Sequence, residues 1–252
     1  MAPETPRGDR RLTVDVGTSA GTRVLVVSAH PDDVDFGAAG SVATWTAAGA
    51  EVAYCIVTDG QAGGSDRSIS REEMAAIRRD EQRAAAKEVG VTEVTFLGFL
   101  DGQLVPSLEL RAALTRVIRR FRPERVVAQS PERNWDRLYA SHPDHLAAGE
   151  AAVCAVYPDA RNPFAHPELL SEGLEPHVVP ELWVMATERA DRVVDVTEAF
   201  PRKLAALRCH RSQGTDGDHV EPMLRDWMGS TAAAAGLGAG RLAEAFHVVA
   251  TA

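Results

Sequence analysis

Short apolar runs alternate with longer amphipathic segments from position 23 onward. The runs RVLVVSA, EVAYCIVTD, EVTFLGF, RVVAQS, ELWVMAT and RVVDVT have strand length and are rich in β-branched residues. The segments between them carry apolar residues at helical spacing, and the clearest one, residues 70–90, opens with a capping-box pattern and ends at a glycine. This alternation predicts an α/β fold: a Rossmann-like, mostly parallel sheet flanked by helices, in a single domain.

The predicted domain covers residues 23–252 and follows a polar N-terminal tail, residues 1–22. Helices are predicted at 37–48, 70–90, 106–121, 143–157 and 198–213. Two segments depart from the alternation. Residues at about 158–180 are rich in proline and turn-forming residues, which predicts an excursion over the surface. The Gly/Ala-rich segment at about 214–240 is compatible with a mobile flap or with a surface helix.

Composition excludes several classes of protein. Apolar residues make up 45% of the chain, but no apolar run approaches the roughly 18 residues that a membrane span requires. The net charge of −9 argues against a nucleic-acid partner, which needs a basic surface. The start of the chain has no apolar segment of signal-peptide length, and Cys55, Cys154 and Cys209 are odd in number and far apart. A cytoplasmic protein with free thiols is therefore predicted.

Two polar motifs follow predicted strands. HPDD, residues 30–33, comes directly after RVLVVSA, and HPDH, residues 142–145, follows RVVAQS after a loop. Because ligand sites in open parallel sheets form at the carboxyl ends of strands, we expect the two motifs to converge. Two imidazoles and one carboxylate can bind a catalytic zinc or ferrous ion and leave a position open for water. The sequence therefore predicts a metal site in which some of these polar groups are not ligands.

A dinucleotide-binding turn is the rival interpretation of GAAG, residues 37–40. That turn needs glycines directly between the strand and the helix, where this chain has HPDD. Carboxylates at that point would repel a pyrophosphate. The pattern favours the metal site.

The motifs AHPDD, TDG and HPDH, with the late CHRSQ, resemble the LmbE-like or PIG-L-like zinc-dependent N-deacetylases over roughly residues 23–213. The resemblance implies that the zinc ligands are His30, Asp33 and His145. It makes Asp32 the general base, beside the metal but not bound to it. His142 becomes the group near the developing oxyanion, preferably as imidazolium, and Asp144 orients an imidazole. Either Asp32 or His142 protonates the leaving amine.

The same resemblance implies three substrate-binding residues. Arg78 matches the family arginine by its Arg-x-x-Glu spacing, although Arg79 competes for the role. Asp101 matches an aspartate that contacts sugar hydroxyls, and His210 is expected to line the site. One position departs from the mycothiol-type members, which carry a tyrosine two residues before the HPDH histidine. This chain has Ala140 there and Tyr139 one residue earlier, which puts a direct transfer of the mycothiol substrate in doubt.

The resemblance implies hydrolysis of an N-acetyl group on an amino sugar or amino-sugar conjugate, a small-molecule substrate, by water activated on Zn²⁺. Fe²⁺ suits the same ligands. A mycothiol-conjugate-type amidase is one alternative, and a non-catalytic module that holds a sugar or thiol in its zinc cleft is another. Family members imply a homo-oligomer, a trimer or a hexamer.

Overall fold

The computed structural model describes residues 12–15, 17–135 and 137–252. Eight strands occur in these ranges. They are β1 (Thr13–Val14), β2 (Arg23–Ser28), β3 (Glu51–Thr58), β4 (Glu93–Phe99), β5 (Arg125–Gln129), β6 (Glu181–Met185), β7 (Arg192–Asp195) and β8 (Ala243–Ala250). All six predicted strands are confirmed. β1 lies within the predicted polar tail, and β8 follows the Gly/Ala-rich segment.

The strands form one sheet in the order β1-β7-β8-β6-β5-β2-β3-β4. β8 runs antiparallel to β6 and β7, and the other neighbours are parallel. This confirms the mostly parallel sheet. The chain passes from β2 to β3 on one side and later places β5 on the other, so the strand order reverses at β2. Ligand crevices of open α/β sheets form at such a reversal, outside the carboxyl ends of the strands.

Eight α-helices occur in the same described ranges and flank the sheet. They are α1 (Asp33–Gly37), α2 (Ala39–Ala47), α3 (Arg71–Glu88), α4 (Leu108–Phe121), α5 (Pro143–Cys154), α6 (Pro167–Ser171), α7 (Phe200–Leu207) and α8 (Val220–Ala234). Val24 and Val26 of β2 face one apolar cluster with α1, α2, α3, α7 and α8. Leu25 and Val27 face a second cluster with α4 and α5. Burial on both faces explains why the central strands are continuous apolar runs.

The ends of α3 are those that the sequence predicts. The Ser70 hydroxyl accepts from the Glu73 amide at 3.2 Å, and the Glu73 carboxylate accepts from the Ser70 amide at 2.9 Å, which completes a capping box. Gly90 follows the helix with φ +81°, a conformation that favours glycine. The bounds of α3 matter for the site because one face of this helix packs against the HPDD motif.

Other helix bounds differ from the predictions. The helix expected at 37–48 starts earlier, at Asp33, and is divided at Ala38, whose φ of −144° is not helical. The helix expected at 143–157 ends at Cys154, and a π-helical turn over Ala155–Asp159 follows. Pro158 lies in this turn and cannot continue a regular helix. The helix expected at 198–213 is limited to α7, and a 3₁₀ turn covers Arg211–Gln213.

The two irregular segments contain helices. α6 lies within the proline-rich excursion at 158–180. Within residues 214–240, the surface-helix alternative is the one observed, because α8 spans fifteen residues there. In the described part of the chain, none of the helices combines the length and the apolar character that crossing a membrane requires.

Candidate metal centre and active site

The two motifs meet because β2 and β5 are neighbouring parallel strands. Gln129, the last residue of β5, accepts from the Ala29 amide at 2.8 Å through its side-chain oxygen, which ties the two strand ends together. α5 then returns close to β5. A Cβ at Gly149 would collide with the Gln129 carbonyl oxygen, so only glycine permits this approach. The first turn of α5 is thereby held against the loop after β2.

The three predicted metal ligands converge. Nδ1 of His30 lies 3.2 Å from Nε2 of His145. The two oxygens of Asp33 lie 3.3 Å from the first nitrogen and 3.0 Å from the second. Ligands at zinc-like bond lengths around a tetrahedral ion are separated by about 3.4 Å. The spacing and the two-imidazole, one-carboxylate donor set therefore both fit a single small divalent cation.

His142 is a further possible ligand. Ligand atoms of His30, His142 and His145 lie within 4.8 Å of one another. Nδ1 of His142, however, accepts from the Asp144 amide at 3.2 Å, as the N-cap of α5. The shorter spacing around Asp33 favours the predicted ligand set over a set of three histidines.

The centre is rich in negative charge. Burial lowers the pKa of His30, but Asp33, together with hydrogen bonds to Asp101 and Asp144, outweighs it and raises the pKa to about 12. Burial disfavours the charged form of Asp33, yet His145 and His30 hold the pKa of this carboxyl well below its ordinary value. Three carboxylates around one imidazole make this a site that favours a cation.

The two adjacent aspartates have different partners. Asp33 faces the two imidazoles, whereas Asp32 lies 3.1 Å from Nη2 of Arg78. Asp32 has φ +88°, in the left-handed region that non-glycine residues seldom adopt. Burial raises its pKa to about 6 against the opposing charge of Arg78. Asp32 is therefore a carboxylate beside the His-Asp set, and its ion-pair partner is Arg78.

Arg78 is buried under the loop after β3. Its guanidinium donates to the carbonyls of Pro31 at 2.5 Å and Gly60 at 2.9 Å. A Cβ at Gly63 would lie 2.5 Å from Nη1, so this loop closes over the arginine only because it is glycine-rich. Arg79, the competing arginine, is partly exposed and pairs with Asp59 at 2.9 Å. The structure thus brings Arg78 rather than Arg79 to the HPDD motif.

The other ring nitrogen of His30 contacts two carboxylates. Nε2 lies 3.2 Å from Asp144 and 3.3 Å from Asp101. Asp144 also accepts from the Gly102 amide at 2.7 Å, and Asp101 accepts from the Ala62 amide at 2.9 Å. Asp144 thus contacts an imidazole, as expected for a residue that orients one. The Asp101 contact to His30 was not foreseen, because the motif assigned that residue to substrate only.

His142 lies at the exposed edge of the centre, and its ring centroid is 4.9 Å from that of His30. Its pKa is lowered, first by burial and then by the neighbouring His30 and His145. Since Nδ1 accepts a backbone N–H, the neutral ring carries its proton on Nε2. The geometry therefore favours a neutral imidazole donor over the expected imidazolium. The side chain of Tyr139 lies outside the described residues.

His210 differs from its predicted position. It is fully buried, and Nε2 lies 2.8 Å from a carboxylate oxygen of Asp35. Gln82 donates to the same oxygen at 2.8 Å. A histidine with no exposed surface does not line an open cleft, so His210 stands behind the site rather than on its wall. Sequence reasoning missed Asp35 and Gln82, whose only signal is their closeness to HPDD and to Arg78 in the chain.

The mostly parallel sheet, the converging His-Asp set and the second carboxylate held beside it by Arg78 define the class: an α/β protein with a candidate metal centre at the carboxyl ends of its strands. Residues 25–156 match the family model described as PIG-L, GlcNAc-PI de-N-acetylase, and the chain belongs to this family of deacetylases.

Relatives with assigned activities cover most of the chain. It is 34% identical over 205 residues to a diacetylchitobiose deacetylase of Thermococcus kodakarensis, covering 81% of this chain and 75% of that protein. It is 33% identical over 210 residues to a probable N-acetyl-alpha-D-glucosaminyl L-malate deacetylase 2 of Bacillus cereus, covering 81% and 86%. The structure of N,N'-diacetylchitobiose deacetylase from Pyrococcus horikoshii matches with a TM-score of 0.83 and 32% identity, covering 91% of this chain and 84% of that one.

Proposed function

We propose that this protein is a metal-dependent hydrolase that removes the acetyl group from an N-acetylglucosamine-containing small molecule. The observation that carries the proposal is the division between the adjacent aspartates: Asp33 lies between two imidazoles, and Asp32 is held apart from them by Arg78. A site that only binds a cation does not require a second carboxylate held next to its ligands. The relatives named for chitobiose and glucosaminyl malate support an amino-sugar substrate.

The proposed metal is Zn²⁺, held by His30, Asp33 and His145, with Fe²⁺ as the alternative for the same ligands. When bound, such an ion polarises the acetyl carbonyl and lowers the pKa of a water molecule toward about 7. Side chains of the protein supply the remaining steps, which are orientation of the imidazoles, proton transfer and stabilisation of the oxyanion. Asp144 orients two imidazole rings, those of His30 and His142. Its carboxylate contacts Nε2 of His30, and its backbone amide donates to Nδ1 of His142.

Asp32 acts as the general base. It takes a proton from the attacking water as the new C–O bond forms at the acetyl carbon. Its pKa of about 6 leaves it largely ionised at neutral pH and close enough to that pH to return the proton. The C–N bond then breaks, the amine leaves with that proton, and acetate remains. His142 donates from Nε2 to the oxyanion of the tetrahedral intermediate.

Substrate recognition is assigned to the walls of the crevice. We assign contacts with sugar hydroxyls to Asp101, in the loop after β4 beside His30. Arg78 was expected to share this role, but it lies on α3, buried and bonded to Gly60, Pro31 and Asp32, so we assign it to holding the HPDD motif. His210 supports the site from behind. We further propose a cytoplasmic location and a homo-oligomer of three or six subunits. Three free cysteines, of which Cys55 is buried with its pKa raised to about 12, support a reducing compartment.

A deacetylation screen tests the proposed function. The purified protein is incubated with N-acetylglucosamine, N,N'-diacetylchitobiose and a mycothiol-type conjugate, and the free amine is measured with and without a chelator. Metal-dependent release of amine from the first two substrates is expected. Release from the conjugate alone would indicate the amidase instead. Binding of chitobiose by calorimetry without any product would indicate a non-catalytic module. Metal analysis of protein purified without air distinguishes Zn²⁺ from Fe²⁺.

A further inference from the structure

A buried hydrogen-bonded chain connects His210 to the backbone of Asp32. Nε2 of His210 lies 2.8 Å from Asp35, Gln82 donates to the same carboxylate oxygen at 2.8 Å, and the oxygen of Gln82 accepts from the Asp32 amide at 2.9 Å. Asp35, Gln82 and His210 are all completely buried. The carboxylate of Asp35 fixes which end of the Gln82 amide faces Asp32, because a carboxylate only accepts.

Gln82 and Arg78 act on the same peptide group. Arg78 donates to the Pro31 carbonyl, and Gln82 accepts from the Asp32 N–H. These two atoms belong to the single peptide that joins Pro31 to Asp32. The two side chains are four residues apart on α3 and so lie on one face of the helix. Two side chains of α3 therefore bind this peptide group, one at its carbonyl oxygen and the other at its N–H.

That peptide sets the direction of the Asp32 side chain. Asp32 has φ +88°, a conformation that a non-glycine residue keeps only when its surroundings enforce it. Rotation of the peptide would move the carboxylate relative to the three metal ligands. A base must lie within hydrogen-bond reach of the proton it removes, so a small rotation is costly for catalysis.

We propose that Gln82 is a positioning residue for Asp32, and that the Asp35–His210 pair keeps the Gln82 amide in the required orientation. The proposal rests on the proposed function, in which Asp32 is the base. The proposal also explains why His210 is completely buried: it acts on Gln82 through Asp35 and does not contact the substrate.

The first test removes both hydrogen bonds of Gln82 at similar volume. Gln82→Met is expected to lower kcat by about 10²-fold, the usual cost of misplacing a reacting group by an ångström, with KM and metal content unchanged. The matched control is Thr46→Val, which removes the 2.6 Å hydrogen bond from α2 to the Val89 carbonyl at the end of α3. The control is expected to lower Tm and leave kcat unchanged. A wild-type kcat in Gln82→Met would overturn the proposal.

The second test exchanges donor and acceptor. Gln82→Glu still accepts from the Asp32 amide but sets a carboxylate against Asp35, so kcat should fall. Adding Asp35→Asn supplies an NH₂ group that can donate to the new carboxylate and to the neutral His210 ring. The double variant is therefore expected to recover kcat relative to Gln82→Glu. Additive losses would overturn the positioning role, since packing alone predicts no such coupling.

Asp32→Asn separates this proposal from the proposed function. If Asp32→Asn keeps its metal and turns over at the wild-type rate, Asp32 is not the base and the positioning role fails, although deacetylation itself stands. If the wild-type protein releases no amine, the proposed function fails first. If Asp32→Asn is inactive but Gln82→Met has wild-type kcat, only the positioning role fails.

Discussion

Asp144 lies 3.2 Å from Nε2 of His30, on the ring nitrogen opposite the one that faces Asp33 and His145. This relationship fixes the ring orientation and leaves Nδ1 free to bind a metal. The same carboxylate is fully buried and accepts two backbone amides, from Gly102 and Leu104. One residue thus joins His30, a proposed metal ligand, to the loop after β4.

Asp144→Asn should weaken metal binding without removing a ligand. Loss of a carboxylate that supports a ligating histidine typically costs about 10–100-fold in metal affinity. Competition with a chromogenic chelator measures this affinity. Asp159→Asn is the matched control, because Asp159 is equally buried and pairs with Arg111 at 2.8 Å. It should reduce stability and leave metal affinity as in the wild type. Equal affinities in the two variants would show that Asp144 does not support the centre.

His30→Ala and Asp32→Asn should fail in different ways. His30→Ala removes a ligand nitrogen and is expected to lose the metal. Asp32→Asn leaves all three ligands in place, so it should keep stoichiometric metal while its rate falls by about 10²- to 10⁴-fold, the usual contribution of a positioned base. Metal content by mass spectrometry and free-amine release are measured on the same preparations. A metal-free Asp32→Asn protein would make Asp32 a ligand instead.

The residues of the two His-Pro-Asp motifs share a local signature. Residues 30–33 and 142–145 directly follow strand ends or open a helix, so their position in an α/β fold follows from the chain alone. Gln82 and Asp35 have no such signature. Gln82 lies in the charged stretch RRDEQR, which looks like an exposed helix face, yet it is completely buried. The face of α3 that packs against HPDD is decided by packing between elements distant in sequence. The local residue pattern does not contain that information.

The same limit applies to β8 and His210. Insertion of β8 between β6 and β7 is a long-range pairing, and the Gly/Ala-rich stretch before it obscured the strand. The motif CHRSQ indicated that His210 belongs to the site, but only the structure shows that its partner is the buried Asp35. The motif identified His210 as a residue near the site, but it did not indicate that the side chain is completely buried.

Gly63→Ala should displace Arg78. The added Cβ would lie 2.5 Å from Nη1 of Arg78 and 2.7 Å from the side-chain oxygen of Gln213. Arg78 is held by three hydrogen bonds and cannot yield freely, so the loop or the arginine must move and activity should fall. Gly238→Ala is the control, because its new Cβ meets no atom within 4 Å. Deacetylation by both variants is compared at matched metal content. Equal rates would show that the loop after β3 tolerates a wider separation from Arg78.

His210 should make stability depend on pH in a defined direction. Burial lowers its pKa, but the hydrogen bond and charge of Asp35, with Asp32 and Glu81, raise it above the ordinary 6.5. A raised folded-state pKa stabilises the protein fully below about 6.5, and this stabilisation is lost as the pH rises through the folded value. The free energy of unfolding of the wild type minus that of His210→Gln should therefore decrease with rising pH.

His177 provides the opposite case in the same chain. Burial lowers its pKa, although it donates to the Pro123 carbonyl at 2.7 Å. A lowered folded-state pKa disfavours the folded protein once the pH falls below about 6.5. The wild type minus His177→Gln difference should thus increase with rising pH, opposite to His210→Gln. Urea unfolding at pH values on both sides of 6.5 measures both slopes. A difference that rises with pH for His210→Gln would mean that the Asp35–His210 pair does not hold a proton in the folded state.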